Sequence, residues 1–532
     1  MLSAILFAVI LAPIWSVERF FVHDGSGHIN TSYVMTELIK GNAFFTDFYT
    51  FNSPFVPNSG GHWLMALLLQ LFSPFVVTKI MMSLTFAVVP TAVVWFRWQA
   101  AGSEGLTTSL LIGCSIGFNW LWMVGSYNFI LGFAGFVFTL GLFCRWRDEM
   151  NFARFCAITL LLAFVFVSHL IGFFLLAGSI AFLAVFAEPE SRKRTIVWTF
   201  LALLATLPLL FLYQSLIGVG GGEPFSPVWR GLADPYSLRG WINHFIGVDP
   251  FILISRRTLP FTKFDTSMLA VFAPILWIVA ALALLTFGTI FGGRGRELLS
   301  RRYLPFVILF TASILVAFLG PDDFKVNNGG LLRERIFMAA LVFTVPLFQL
   351  EKAVWARRIA NCCLIFVLIF QTAAMWEYSL RSNEETKDLT EASKFISDRQ
   401  TIASVVVMVE PPRFHSVPVS QMTSYLGIGK DVIVLDNYEM GHYLFPVVTR
   451  DPEAKRFVYD LIRSNFIELN NPREDFNENL AGLDTCLAEN SGKIDIMLLW
   501  GRNEQVENIL KKSFDDHPFF ESGRIRLFHR LK

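Results

Sequence analysis

Charge is what this sequence has little of. Asp, Glu, Lys and Arg make up 16% of its 532 residues, against 54% hydrophobic residues, where ordinary soluble domains carry about 25% charged. A chain facing water on all sides is excluded, and lipid is the expected solvent for much of it. The formal net charge of +1 gives no overall pull toward nucleic acid. Cysteine is scarce too. Five of the six (Cys114, Cys144, Cys156, Cys362, Cys363) lie in or beside apolar runs and read as small hydrophobes. Cys486 stands alone, so there is neither a disulfide framework nor a Cys/His zinc spacing. Also missing are internal repeats, low-complexity tracts, a phosphate-cradling glycine loop, a DxD pair and an HExxH motif. No tightly bound metal is expected on these grounds, although a divalent cation centred on Asp24 stays open. No cofactor is called for.

What is abundant is apolar bulk, including 55 Phe and 14 Trp. Segments long enough to approach a span of roughly 20 residues fall near 2–22, 75–96, 106–123, 127–144, 155–168, 170–187, 195–217, 264–291, 303–319, 336–350 and 359–380. The fifth and sixth come from one unbroken run, divided at Ser168-His169 where polar groups interrupt it. The first segment lacks a basic flank and a small-residue cleavage site, and reads as a retained span. Lys and Arg set the orientation. With the amino terminus cytoplasmic, the inner loops are those holding Arg97; Arg145, Arg147 and Arg154; RKR at 192–194; Arg294, Arg296, Arg301 and Arg302; and Lys352, Arg357 and Arg358. All are basic. The expected fold is therefore a polytopic α-helical membrane protein of about eleven spans over residues 1–380. Its outer loops are 23–74, 218–263 and 320–335, and a tail emerges on the outer face.

The tail differs in composition. Residues 381–532 hold 24 acidic and 19 basic side chains, leaving 19 acidic and 25 basic before them. RSNEETKDLTEASKFISDRQ reads as an amphipathic helix. IASVVVMV (402–409), DVIVLD (431–436), KIDIMLLW (493–500) and RIRLFH (524–529) read as strands, with helical pattern at 452–465 and 503–513. The alternation implies an extracytoplasmic α/β domain suited to binding or positioning. The cluster Asp436, Asn437, Tyr438, His442 and Tyr443 reads as a plain loop, with contact to an acceptor glycan as the alternative.

The outer loops hold the candidate chemistry. In FFVHDGSGHINTSYVMTELIKGNAFF, residues 27–40 read as a helix lying along the membrane surface, stopped by Gly41-Asn42. Asp24 precedes its positive end, either to complement that dipole or to serve a site. His28 reads as a polar interface residue, with a site role as the alternative. Asp47, in the following aromatic stretch, is a second and weaker acid. The loop 218–263 supplies Trp229, Trp241 and Phe245 as interfacial anchors, with Arg230, Arg239, Arg256 and Arg257 beside them. In LGPDDFKVNNGGLLRERIFMAALVF, Arg333 and Arg335 stand at an outer helix start, against the dipole. Neighbouring acids or a lipid phosphate would offset them, and guanidinium forks match phosphate oxygens. His169, at the turn between two spans, belongs either to the bundle's hydrogen bonding or to a site. Asn119, Trp120, Tyr127 and Asn128 could line the same cavity.

The layout of an outward acid behind the first span, late outer arginines and an outward soluble tail resembles the GT-C superfamily of polytopic glycosyltransferases. The DGSGH segment carries the resemblance, and SYNFILGF, VSHLIGFF and GGLLRERIF look like phrases of bacterial multispanning proteins of that group. The resemblance covers residues 1–380. It implies transfer of a sugar from a polyprenyl-phosphate carrier to an extracytoplasmic acceptor (envelope glycan, lipid or protein) at a bacterial inner membrane. Asp24 would be the general base, Arg333 and Arg335 would bind the phosphate, and His28, His169 and Asp47 would be substrate contacts. This chain departs from the pattern in having His23 beside Asp24, where some members carry a second acid; Asp47 or Glu37 would substitute, or one carboxylate would suffice. A lipid or glycan transporter, and a non-catalytic envelope assembly protein, are the alternatives.

Overall fold

The first apolar run is helical only over Leu2–Trp15, with Pro13 near its end. The chain then runs on to Asp24 with Phe20, Phe21 and Val22 fully buried. Hydrogen bonds to the far end of the long helix Val354–Glu385 hold this stretch: Ser382 Oγ accepts from Phe21 N at 2.8 Å, and Tyr378 Oη donates to Phe21 O at 2.8 Å. The residue at the centre of the candidate site is thus anchored by a helix that comes more than 300 positions later. The computed structural model describes residues 2–53, 55–219, 227–228, 248–254, 266–324, 330–348, 353–409, 412–469 and 476–531. Trp229, Trp241, Phe245, Arg230, Arg239, Arg256, Arg257 and Lys352 lie outside the described residues.

Among the described residues, five helices are long and apolar enough to cross a membrane, as a multi-pass membrane protein requires. They are Pro74–Ala101, Tyr127–Trp146, Pro189–Val219, Thr266–Thr289 and Val354–Glu385. Shorter apolar helices include Leu106–Gly117, Phe152–Ser168, Leu170–Val185 and Leu304–Leu319. The long apolar run breaks at His169, whose extended backbone separates Ser168 from Leu170. The segment expected to span at 336–350 is shorter than that reading. Its helix, Leu332–Thr344, gives way to a 3-10 turn at Val345–Leu347, where Pro346 cannot continue the α pattern. At 1.5 Å per residue, 13 residues reach about 20 Å, less than a bilayer's hydrocarbon core of roughly 30 Å.

Small residues set the closest helix crossing near the site. A Cβ on Gly132 would stand 2.9 Å from the Cβ of His169, and one on Gly172 would stand 3.0 Å from the Gly132 carbonyl. Close backbone approach of this kind is how small residues serve membrane helix interfaces. It seats His169 against the start of Tyr127–Trp146. Gly132→Val should therefore push the two helices apart and cost about 1–3 kcal/mol, measured as a lower melting temperature in detergent. An unchanged melting temperature would show that the crossing has slack.

Beyond Glu385, where the long helix ends, the chain builds a six-stranded sheet. Its main order is Val432–Val434, Gln400–Met408, Ile496–Trp500, Ile525–His529 and Phe520–Ser522, and Phe466–Glu468 pairs with the far end of Gln400–Met408. Gln400–Met408 pairs in parallel with three partners, and Ile525–His529 returns antiparallel. The central strands are apolar on both faces: Pro452–Ser464 and Phe476–Asn490 cover one, and the other joins the larger core with Tyr378, Leu389, Ala392 and Phe414. Four strands stand where the sequence pattern puts them. Phe466–Glu468, Phe520–Ser522 and the helix Phe476–Asn490 are additional; the two strands have three residues each, too few for alternation to show. The expected amphipathic helix after residue 380 is instead the last turns of Val354–Glu385 followed by the short helix Leu389–Ser393.

This sheet region is joined to the segment that follows the first helix. Tyr49–Phe51 pairs antiparallel with Val447–Thr449. The Asn437 amide donates to Gly27 O, Asn30 Oδ1 and Thr31 Oγ1 at 3.1–3.2 Å. As a result the helix Gly25–Lys40 does not lie along an open surface: Gly25 to Ser32 are all buried. Its polar face is used for contact with the tail.

Candidate active site

A cavity of about 250 Å³ opens where the start of Gly25–Lys40, the His169 break, the start of Leu332–Thr344 and the turn Tyr438–Gly441 meet. Asp24, His28, Asn128, His169, Arg335 and Tyr438 all line it. Four residues singled out in the sequence as site candidates, Asp24, His28, His169 and Arg335, are thereby brought together from distant parts of the chain.

Asp24 occupies the cap position of its helix, yet its side chain makes no capping hydrogen bond. Its backbone N–H donates to Val124 O at 2.8 Å, which ties the residue to the tight turn before Tyr127. Burial pushes its carboxyl above the usual range; the charges of His23, His28 and Arg335 pull the other way, and Glu439 adds to the rise. A carboxylate in such surroundings has a strengthened appetite for a proton.

Arg335 lies one turn into its helix, 9% exposed. Its guanidinium stands over the Phe129 ring, 4.8 Å from the centroid, a cation–π contact. Among the described residues no carboxylate lies within ion-pair distance of it, and its buried Nε has no hydrogen-bond partner. A buried cation held in this way calls for an anion. Arg333 is placed otherwise. It pairs with Asp322 at 2.7 Å and donates to Ala317 O and Phe318 O at 2.7 and 3.1 Å. It clasps the end of Leu304–Leu319 and does not line the cavity.

Asp47 is exposed on the short helix Ala43–Phe48 and stands away from the cavity. Glu37 is tied to Lys40 and Asn42 at the other end of its helix. His169 caps Leu170–Val185, its Nδ1 accepting from Ile171 N at 3.1 Å, and its ring meets Phe129 edge-on at 5.3 Å. Of the neighbours named with it, Asn128 lines the cavity, while Asn119, Trp120 and Tyr127 do not.

The tail adds residues from a stretch whose sequence pattern reads as a loop. Tyr438, His442, Leu444 and Phe445 form one wall. Behind it, the Glu439 carboxylate is in contact with both His28 Nδ1 and His62 Nε2, the latter at 2.9 Å. Burial works against charge on His28, but the Glu439 carboxylate outweighs it and raises that imidazole's pKa. Burial would raise Glu439; His28 and His62 together drive it below the carboxylate range. His62 carried no local signal, being a lone polar residue at the start of an apolar run, and Glu439 lies within the cluster 436–443 with nothing to set it apart from its polar neighbours.

No protein-family model matches this chain, and no curated protein does. Among solved structures it is similar to the crystal structure of ArnT from Cupriavidus metallidurans bound to undecaprenyl phosphate. The match covers 99% of this chain and 96% of that one, with 9% sequence identity and a TM-score of 0.47.

Proposed function

We propose that this chain is a GT-C-type glycosyltransferase that moves a sugar from a polyprenyl-phosphate carrier to an extracytoplasmic acceptor. In this reading the membrane part is polytopic, with its amino terminus in the cytoplasm. Residues 381–532 form an α/β domain on the outer face of a bacterial inner membrane, and the acceptor is an envelope glycan, lipid or protein.

One observation carries the reading: Asp24 and Arg335 line a single cavity, and the arginine's buried Nε has no partner among the described residues. Sugar transfer needs two things at one place. A base must take the acceptor hydroxyl proton as its oxygen bonds to the anomeric carbon, and a cation must meet the charge left on the phosphate as the glycosyl–phosphate bond breaks. Asp24 supplies the first and Arg335 the second. His28, His169 and Tyr438 shape the space between them. Arg333 and Asp47 serve the fold and the surface in this assignment.

The reading is tested by comparing lipids on the purified protein. A polyprenyl phosphate should raise the melting temperature, and the matching polyprenol should not. Equal shifts from the two would mean that the phosphate is not recognised, and the proposal would fall.

A further inference from the structure

We infer that His28, His62 and Glu439 form a binding site for one divalent metal ion, zinc by the character of the donors, which clamps the first outer loop to the tail. The three side chains are buried and their ligand atoms all lie within 4.8 Å of one another. Ligands bonded to a single zinc at about 2.0–2.2 Å stand up to roughly 4 Å apart, and two imidazoles with one carboxylate are an established zinc donor set.

Hydrogen accounting at His62 is the strongest sign. Its Nδ1 is 2.7 Å from Asn58 O, and a carbonyl oxygen can only accept, so Nδ1 carries the proton. Asn128 Nδ2 lies 3.2 Å from the same nitrogen and would ask it to accept instead; the shorter carbonyl contact sets the tautomer, and the Asn128 amide then makes no hydrogen bond to Nδ1. In a neutral ring Nε2 then presents a lone pair, and it faces Glu439 Oε2, another acceptor, at 2.9 Å. Something positive has to lie between them. At His28 the contact of Nδ1 with Glu439 Oε1 lacks hydrogen-bond geometry. Without a metal, one proton at each contact would satisfy Glu439, making His62 a buried imidazolium and His28 the neutral Nδ1–H tautomer. One divalent ion instead meets both nitrogens and the carboxylate with coordinate bonds and neutral rings, and a ring N–H donated to a backbone carbonyl is the usual way a zinc-bound histidine is oriented.

The supporting structure is rigid. Asn58 adopts a left-handed backbone, φ 71°, which turns its carbonyl onto His62. Its N–H donates to Ser168 O at 3.2 Å, that of Ser59 to Val167 O at 3.1 Å, and that of Gly61 to Asn128 Oδ1 at 2.6 Å. Glu439 sits in a turn whose cap, Asn437, is bonded to the helix bearing His28. The ligands thus come from three separately fixed elements. The site stands apart from the glycosyl reading, because metal content is measured with no donor or acceptor present.

The test is elemental analysis of the full-length protein, purified in detergent without a polyhistidine tag or chelator. About one zinc per chain is expected. Chelation should lower the melting temperature, and zinc, but not magnesium, should restore it. His62→Cys, which keeps a zinc ligand but cannot reproduce the imidazole hydrogen bond, should retain the metal, while His62→Ala and Glu439→Gln should lose it. A wild-type protein that is metal-free as purified, with a melting temperature indifferent to added zinc, overturns the inference. So does wild-type metal content in both His62→Ala and Glu439→Gln.

Discussion

Asp24→Asn is expected to lower the rate of sugar transfer by about 10²–10⁴-fold, the range that a positioned general base contributes, while leaving expression and folding intact. The two parts of that expectation have separate grounds. Folding survives because the Asp24 side chain makes no capping hydrogen bond, and the residue is held through its backbone. An amide of the same shape fills the same space and can accept hydrogen bonds from neighbouring donors. Catalysis fails because an amide cannot take the acceptor's proton at neutral pH. The measurement is turnover in nanodiscs with a polyprenyl-phosphate sugar, with lipid binding followed in parallel. Binding should persist, since the phosphate is assigned to Arg335. A variant that transfers sugar at the wild-type rate would remove Asp24 from the chemistry.

The second large effect is a divergence between two arginines that look alike in the sequence. Arg333→Met breaks a partly buried pair with Asp322 and removes the donors to Ala317 O and Phe318 O, which should cost about 1–3 kcal/mol of stability. Arg335→Met removes a buried cation that has no carboxylate partner among the described residues. Its stability should hold or rise, as is common where a site is strained for function. Its affinity for polyprenyl phosphate should fall about 10–100-fold, the loss expected for a charge-assisted hydrogen bond worth 1.5–3 kcal/mol. Melting temperature and lipid titration on the two variants separate the roles. If both lost stability equally and both still bound phosphate, Arg335 would be a structural residue like its neighbour.

Much of the site was legible in short phrases. DGSGH, SYNFILGF, VSHLIGFF and GGLLRERIF each place at least one side chain on the cavity: Asp24 and His28, Asn128, His169 and Arg335 respectively. They could be found because an ionisable or amide group at the edge of an apolar run has to be explained. The difference between Arg333 and Arg335 was not legible. Two positions along a helix turn the side chain by about 200°, so one arginine faces the cavity and the other faces away. Which is which depends on how Leu332–Thr344 is rotated against Leu304–Leu319, and nothing local records that rotation. The tenth apolar segment also looked longer than its helix, because hydropathy counts apolar residues and takes no notice of Pro346.

The sequence by itself determined the solvent of the chain, the positions of its main apolar helices, the break at His169 and the strands of the tail with the clearest runs. All of these follow from composition and periodicity over a dozen or so neighbours. Only the tertiary structure decided that the turn bearing Tyr438 and Glu439 closes over His28 and His62, and that Gly25–Lys40 is covered. The strand register that carries the tail onto the segment after the first helix, Tyr49 opposite Thr449, joins residues 400 positions apart. Contacts at that separation are set by how whole elements pack, and no window of the sequence contains them.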